Sequence, residues 1–218
     1  MNGAGAAPHP VDRDSYETHL TVLPRVGEAM LDEVEAFARA HGLKFLQIQL
    51  PAGAQPCQPM LSLRGRGSLE RQKAEAGRLV EALAVLGMAV TRTKIEAAPW
   101  NAGVPAIGPC LRPEHYFESH VKLLLAPDCG TDALARVANV HGAHLSRNAR
   151  RVREDGLVER FATLRTRDGG LAAITTRTEA LRSALAPQTL AVLSVEIEYV
   201  VLDDNPALDA GWLPDDGQ

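Results

Sequence analysis

The sequence ETHL at residues 17–20 recurs as ESHV at residues 118–121, so a glutamate and a histidine hold equivalent places in two halves of the chain. Three more matches keep the same order: HG at 41–42 and 141–142, LRGR at 63–66 and LRTR at 164–167, and IE at 95–96 and 197–198. Matches in one order at a nearly constant separation indicate an internal duplication. We therefore predict two structurally related repeats.

Each repeat has the same order of predicted elements. In the first, the alternating side chains of residues 19–23, rich in Thr and Val, predict a strand. A helix with apolar side chains at helical spacing follows and ends at Gly42. Two strands, a second helix capped by Ser68 and a last strand complete this repeat, and the second repeat follows the same order. This βαββαβ order is typical of the ferredoxin-like arrangement. The sequence predicts an α+β protein, a tandem duplication of this unit with two separate four-stranded antiparallel sheets, each with two helices on one face.

Three segments lie outside the repeats. A Gly/Ala/Pro-rich N-terminus predicts a disordered tail, and a run with four prolines between the repeats predicts a stiff linker. The predicted organisation is a tail at 1–14, repeat 1 at 15–98, the linker at 99–114, repeat 2 at 115–203 and an acidic C-terminal tail at 204–218.

Composition and charge limit the function. The chain has 218 residues, a hydrophobic fraction of 45% and a net charge of −4. The acidic balance argues against a general nucleic-acid binder, which usually carries a basic excess. No apolar run reaches the length of a transmembrane helix, and the three cysteines without a CxxC pattern are expected to be reduced thiols. We expect a cytoplasmic protein without a membrane partner.

The alternation of side chains along each strand places the charged residues on one face of each sheet. Leu20, Leu61 and Ile95 are expected to face the helices. On the opposite, open face of repeat 1 the residues are Glu17, His19, Thr21, Ser62, Arg64, Arg66, Lys94 and Glu96. In repeat 2 they are Glu118, His120, Lys122, Thr163, Arg165, Arg167, Glu196 and Glu198. If the two faces meet across a pseudo-twofold axis, both histidines lie in one cleft.

The segment His19-Leu20-Thr21 resembles the HxT motif of the two-histidine phosphoesterase superfamily. Members of that family are bilobed, and each lobe supplies one HxT or HxS strand to a central cleft. The resemblance implies that His19 and His120 are the catalytic acid–base pair on a phosphodiester or cyclic phosphate, with no cofactor required. Thr21 matches the hydroxyl that holds the phosphate, whereas Lys122 stands where the second hydroxyl is expected.

The residues themselves are suited to the same chemistry. Imidazole titrates near neutrality and transfers protons, and guanidinium groups bind phosphate oxygens. We therefore predict a phosphoesterase-like hydrolase that binds an anionic, phosphate-containing small molecule. The predicted substrate-binding residues are Thr21, Arg64, Arg66, Lys122, Arg165 and Arg167.

Two alternatives stay open. One is a metal-dependent enzyme, because imidazole and carboxylate groups are common ligands of zinc, iron, nickel and manganese. The divalent metal would be held by His19, Glu96, His120 and Glu198. The other alternative is a non-enzymatic ligand-binding or regulatory module, since fold alone does not determine function.

Overall fold

The computed structural model describes residues 14–22, 28–151 and 153–212. Repeat 1 consists of β1 (Ser15–Val22), α1 (Glu28–Ala40), β2 (Lys44–Gln49), β3 (Cys57–Arg66), α2 (Leu69–Val85) and β4 (Val90–Ala97). Repeat 2 consists of β5 (Tyr116–Leu125), α3 (Thr131–Val140), β6 (Ala143–Asn148), β7 (Val158–Thr166), α4 (Gly170–Leu185) and β8 (Ala191–Asp203). The βαββαβ order therefore occurs twice. The predicted disordered tail at 1–14 lies outside the described residues except for Asp14.

The strands of both repeats form one closed antiparallel barrel in the order β1-β3-β2-β6-β7-β5-β8-β4. The prediction of two separate four-stranded sheets is therefore wrong. Each repeat keeps its own internal pairing, but its edge strands pair with those of the other repeat, β2 with β6 and β4 with β8. Closure satisfies backbone groups that two open sheets would leave exposed at their edges. It also turns both charged faces towards a common interior.

The four helices cover the outside of the barrel and bury two apolar cores. In repeat 1, Leu79 and Leu83 of α2 pack in one cluster with Leu20 of β1 and Leu61 of β3. In repeat 2, the corresponding cluster includes Ile174 and Leu181 from α4. The strand alternation thus sorts the residues as expected, because Leu20 is buried under the helices whereas its neighbours along β1 point into the barrel.

The seam between β4 and β8 is closed along only part of its length. Lys94 to Ala97 of β4 pair with residues 199–203 of β8, and Asp204 extends the contact through a bond from its backbone N–H to the Thr93 carbonyl. Beyond Ala97 the chain turns away, since the Ala98 N–H donates to the Ser15 carbonyl on β1. Among the described residues, none pairs with the β8 edge over 191–198 on this side.

The segment after β8 folds back across one end of the barrel. It contains a short 3-10 turn, Pro206–Asp209, and its Trp212 Nε1–H donates to the Leu145 carbonyl at 3.1 Å. The Ala54 N–H donates to the Ala210 carbonyl, and a Cβ at Gly53 would lie 3.1 Å from the same oxygen. The predicted acidic tail at 204–218 is thus packed on the barrel up to Trp212, and its remaining residues lie outside the described part of the chain.

The predicted linker contacts the second repeat. The Leu171 and Ala172 N–H groups at the start of α4 donate to the carbonyls of Pro105 and Ala106. These bonds satisfy amides that the first turn of a helix leaves without intrahelical partners. In the described part of the chain, no helix combines the length and the apolar character needed to cross a bilayer.

Candidate functional site

The barrel encloses a cavity of about 670 Å³ that residues of both repeats line. His19 and Glu96 reach it from β1 and β4, and His120 and Glu198 reach it from β5 and β8. The two charged faces predicted from strand alternation therefore meet in one space. This is the arrangement on which both enzyme hypotheses depend.

The predicted substrate-binding residues divide into three groups. Thr21, Arg64 and Lys122 line the cavity. The side chain of Arg165 is largely buried and does not line the cavity, and its guanidinium contacts Glu118. Arg66 and Arg167 do not line the cavity, because the first is the last residue of β3 and the second follows the end of β7. Arg167 instead donates to the carbonyls of Pro113 and His115.

A buried ionic network occupies one side of the interior. Lys94 Nζ lies 2.6 Å from Glu96 Oε1 and 2.7 Å from Glu118 Oε2, and it bridges the two repeats. Arg165 Nη2 lies 2.7 Å from Glu118 Oε1 and 2.7 Å from Asp209 Oδ2. Burial alone would raise the pKa of Glu118, but Lys94 and Arg165 outweigh it and hold that pKa well below its usual range. Glu118 is therefore a carboxylate that two buried cations stabilise.

The network continues through Arg92, which sequence analysis missed. Arg92 lies 2.6 Å from Asp203 Oδ2 and 3.0 Å from Asp209 Oδ2. The alternation that places Lys94 inside the barrel extends two residues back to Arg92, so a signal was present. Asp209 had no such signal, because it comes from the segment after β8 and reaches the network only when that segment folds back.

Three of the predicted anion-binding cations, Arg64, Lys122 and Arg165, already have carboxylate partners. Arg64 Nε lies 2.7 Å from Glu17 Oε2, and Lys122 Nζ lies 2.8 Å from Glu159 Oε2. Arg165 is held by Glu118 and Asp209 as described above. An incoming phosphate would have to displace these carboxylates. The interior therefore offers few free cations for an anion.

A different cluster is rich in metal-ligand atoms. Ligand atoms of Glu96, His120 and Glu198 all lie within 4.8 Å of one another. His19 completes the predicted set, since its Nε2 lies 2.7 Å from Glu96 Oε2. His19 Nδ1 is buried and has no hydrogen-bond partner among the described residues. Three of the four predicted metal ligands are thus brought together, and the fourth contacts one of them.

The pKa values of the two carboxyl groups in this cluster shift in opposite directions, because Lys94 and His19 hold the pKa of Glu96 below its usual range. Burial and the neighbouring Glu96 carboxylate raise the pKa of Glu198 well above 4.5. Burial lowers the pKa of His120, although Glu118 partly opposes the shift. Two carboxyl groups this close hold either a shared proton or a cation. Lys94 already balances Glu96, so the charge left to balance is that of Glu198. The neutral imidazole favoured at His120 is the form that binds metal ions.

Thr163 fixes the orientation of His120. Its Oγ1 lies 2.9 Å from His120 Nδ1, while His120 Nε2 lies 3.6 Å from Glu198 Oε2. Outer-shell hydrogen bonds of this kind set the tautomer and the direction of a ligating histidine. The face of the imidazole that carries Nε2 is therefore directed at the carboxylate cluster.

The raised pKa of Glu198 gives a testable pH dependence. A carboxyl group with a raised folded-state pKa stabilises the protein below its unfolded pKa, and this contribution is lost as pH rises through the folded value. In chelator, the wild-type protein should therefore lose stability above about pH 4.5, whereas Glu198→Gln should not. At pH 8 the variant should melt higher than the wild type by at least roughly 2–4 °C, the shift expected for about 1 kcal/mol. If the melting temperatures of the wild type and Glu198→Gln changed with pH in parallel, the raised pKa of Glu198 would be contradicted.

Comparisons with known proteins do not identify the chain. No protein-family model matches it, and no curated protein matches it. It is similar to the acetolactate synthase small subunit from Thermotoga maritima, with 10% identity over 87% of this chain and 96% of that chain and a TM-score of 0.29. It is also similar to chlorite dismutase from Candidatus Nitrospira defluvii, with 10% identity over 86% of this chain and 91% of that chain and a TM-score of 0.31. A putative chlorite dismutase has 15% identity over 90% of this chain and 97% of that chain, with a TM-score of 0.28. Such scores carry no argument about function.

Proposed function

We propose that the barrel is a metal-dependent enzyme whose cavity binds one divalent ion through Glu96, His120 and Glu198. The observation that carries the proposal is the approach of these three ligand groups to within 4.8 Å of one another. Three protein ligands facing a cavity of about 670 Å³ leave room for water or a substrate on the metal. Catalytic metal sites keep such an open position, whereas structural sites are closed by four protein ligands.

The charges around the cluster favour a cation. The basic group seen within ion-pair distance of Glu198 is His120, whose Nε2 lies 3.6 Å away, while Lys94 acts on Glu198 from farther off and does not cancel the rise in its pKa. A divalent ion would replace the proton that the raised pKa of Glu198 retains and would relieve its repulsion with Glu96. The mixed imidazole and carboxylate ligands suit zinc, iron or manganese. Among these, zinc is expected to bind most tightly by the general order of affinities.

His19 supplies the chemistry beside the metal. Its Nε2 bonds to Glu96 and its Nδ1 has no described partner, so the ring can turn towards the cluster as a fourth ligand or exchange a proton there. Either role would use the ring nitrogen Nδ1, which is buried and has no partner among the described residues. This assignment joins both histidines of the duplicated motif in one site.

The proposal is tested by melting the chelator-treated protein with zinc, manganese or nickel. At a free metal concentration of 100 times the Kd, binding adds about 2.7 kcal/mol of stability, which corresponds to roughly 5–10 °C. Glu198→Gln should lose this shift. The matched control is Glu196→Gln, two residues earlier on the same strand and outside the ligand set, and it should keep the shift. No metal response in the wild type, or an equal response in Glu198→Gln, would refute the proposal.

A second candidate is metal-independent phosphodiester hydrolysis, which is favoured by the position of both histidines on one cavity. In this case the chelator-treated protein should hydrolyse a cyclic phosphodiester. His19→Ala and His120→Ala should each reduce the rate by about 10²–10⁴-fold, the usual contribution of acid–base catalysis. Undiminished activity in either variant, or activity that requires added metal, would exclude this candidate.

A further inference from the structure

A second concavity of about 710 Å³ lies on the outside of the barrel at the open part of the β4–β8 seam. Its apolar lining comes from Tyr16, Trp100, Val195 and Ile197. Its charged lining consists of two arginines and four glutamates: Arg64, Arg66, Glu17, Glu96, Glu196 and Glu198. The groove is therefore amphipathic, with aromatic and aliphatic side chains beside guanidinium and carboxylate groups.

The groove leads to the proposed metal ligands. Glu96 and Glu198 line both this groove and the interior cavity. The reason is the incomplete seam, because β4 ends at Ala97 and no described strand covers the β8 edge beyond that point. The wall of the barrel is thus open beside the cluster, and a molecule in the groove can reach it.

Trp100 is the most unusual residue of the groove. It is 71% exposed, although tryptophan is generally well buried. Its backbone is nevertheless held in place, since the neighbouring Asn101 is buried, accepts from the Ser15 N–H at 2.9 Å and donates to the Ser15 carbonyl at 2.8 Å. A large aromatic side chain on a fixed backbone is typical of a binding contact, because little freedom is lost when a ligand packs on it.

Arg66 sets the charge of the ligand. Arg64 is committed to Glu17 at 2.7 Å and lies 3.9 Å from Glu196. Arg66 is exposed and forms no ion pair with any residue that the structure describes. A free guanidinium near an exposed indole matches a carboxylate carried by a flat apolar body. Of the four glutamates of the groove, Glu17 and Glu196 contact Arg64. Glu96 contacts Lys94, and Glu198 would be matched by the proposed metal.

We infer that this groove binds the substrate of the metal site and that the substrate is an aromatic carboxylic acid. Its ring packs on Trp100, its carboxylate pairs with Arg66, and its other end extends through the open seam towards Glu96 and Glu198. The inference rests on the proposed function for the metal end only. The contacts with Trp100 and Arg66 do not require a metal.

Benzoate is the probe, and its binding is measured by calorimetry and tryptophan fluorescence with and without saturating zinc. Trp212 is only 8% exposed, so a fluorescence change on binding should come from Trp100 and disappear in Trp100→Phe. Arg66→Gln should raise the Kd about tenfold or more, and Trp100→Ala about threefold to tenfold. Arg112→Gln, an exposed arginine outside the groove, should leave the Kd unchanged.

The outcomes separate the two proposals. Zinc binding without benzoate binding, or an unchanged benzoate Kd in both Arg66→Gln and Trp100→Ala, would overturn the groove and leave the metal site standing. Benzoate binding at Trp100 in a protein that binds no metal would support the groove contacts and overturn the proposed function. Tighter binding of benzylamine than of benzoate would overturn the assigned charge of the ligand.

Discussion

Replacing Glu118 by glutamine should destabilise the protein by about 3–5 kcal/mol, because removing one partner of a buried ion pair leaves its counter-charges unpaired. Glu118 lies 2.7 Å from Lys94 Nζ and 2.7 Å from Arg165 Nη2, and all three side chains are largely buried. In a protein of this size the loss corresponds to a fall in Tm of roughly 6–20 °C. Calorimetric or urea unfolding at pH 7 measures it directly.

The matched control for Glu118→Gln is Glu196→Gln. Glu196 has a side-chain exposure of 55% and its ion-pair contact, with Arg64, is 3.9 Å long, so the change should cost less than about 1 kcal/mol. The acid dependence gives a second check. A carboxyl group with a lowered folded-state pKa stabilises above its unfolded pKa of 4.5, and this stability is lost as pH falls through the folded value. Glu118→Gln should therefore lose less stability on acidification than the wild type. If Glu118→Gln and Glu196→Gln lowered the free energy of unfolding equally, the buried ionic network would be contradicted.

Replacing His120 by alanine should weaken zinc binding by at least about 100-fold, since even an outer-shell partner of a metal ligand is usually worth 10–100-fold in affinity. Thr163→Val tests that outer-shell contact and should lower the affinity by about 10–100-fold, because it removes the hydroxyl 2.9 Å from His120 Nδ1. Competition titration against a chromogenic chelator measures both.

The order of these effects distinguishes a site from adventitious binding. We expect wild type to bind most tightly, Thr163→Val less tightly and His120→Ala least. His144→Ala provides the control, because His144 is on β6 and does not line the cavity. If His144→Ala weakened binding as much as His120→Ala, surface histidines would be the zinc ligands and the proposed site would be wrong.

Local patterns in the sequence could predict much of the site. The recurrence of ETHL as ESHV locates both histidines, and period-two alternation places His19, Glu96, His120 and Glu198 on one face of their strands. These features depend on neighbouring residues along a strand. They therefore hold whichever way the two sheets are arranged.

Closure of the barrel could not be predicted in the same way. The β2–β6 contact consists of the pairs Ile48↔Asn148 and Gln49↔Arg147, and such short contacts between distant strands leave no periodic signal. Asp209 could not be predicted as a member of the network for the same reason. It contacts Arg92 and Arg165 because the segment after β8 folds back onto the barrel. The alternation of side chains is a weaker guide beyond the end of a strand, where Arg167 contacts the carbonyls of Pro113 and His115 and does not line the cavity.

The most direct test of the metal site is an anomalous scattering measurement on crystals grown with zinc and collected on both sides of the zinc absorption edge. The account predicts one strong peak in the barrel, at about 2.0–2.2 Å from an oxygen of Glu96, an oxygen of Glu198 and Nε2 of His120. It also predicts that the peak disappears in Glu198→Gln crystals and persists in Glu196→Gln crystals. A barrel without a peak at saturating zinc, with Glu96 still contacting Lys94 and His19 as in the metal-free protein, would contradict the central claim.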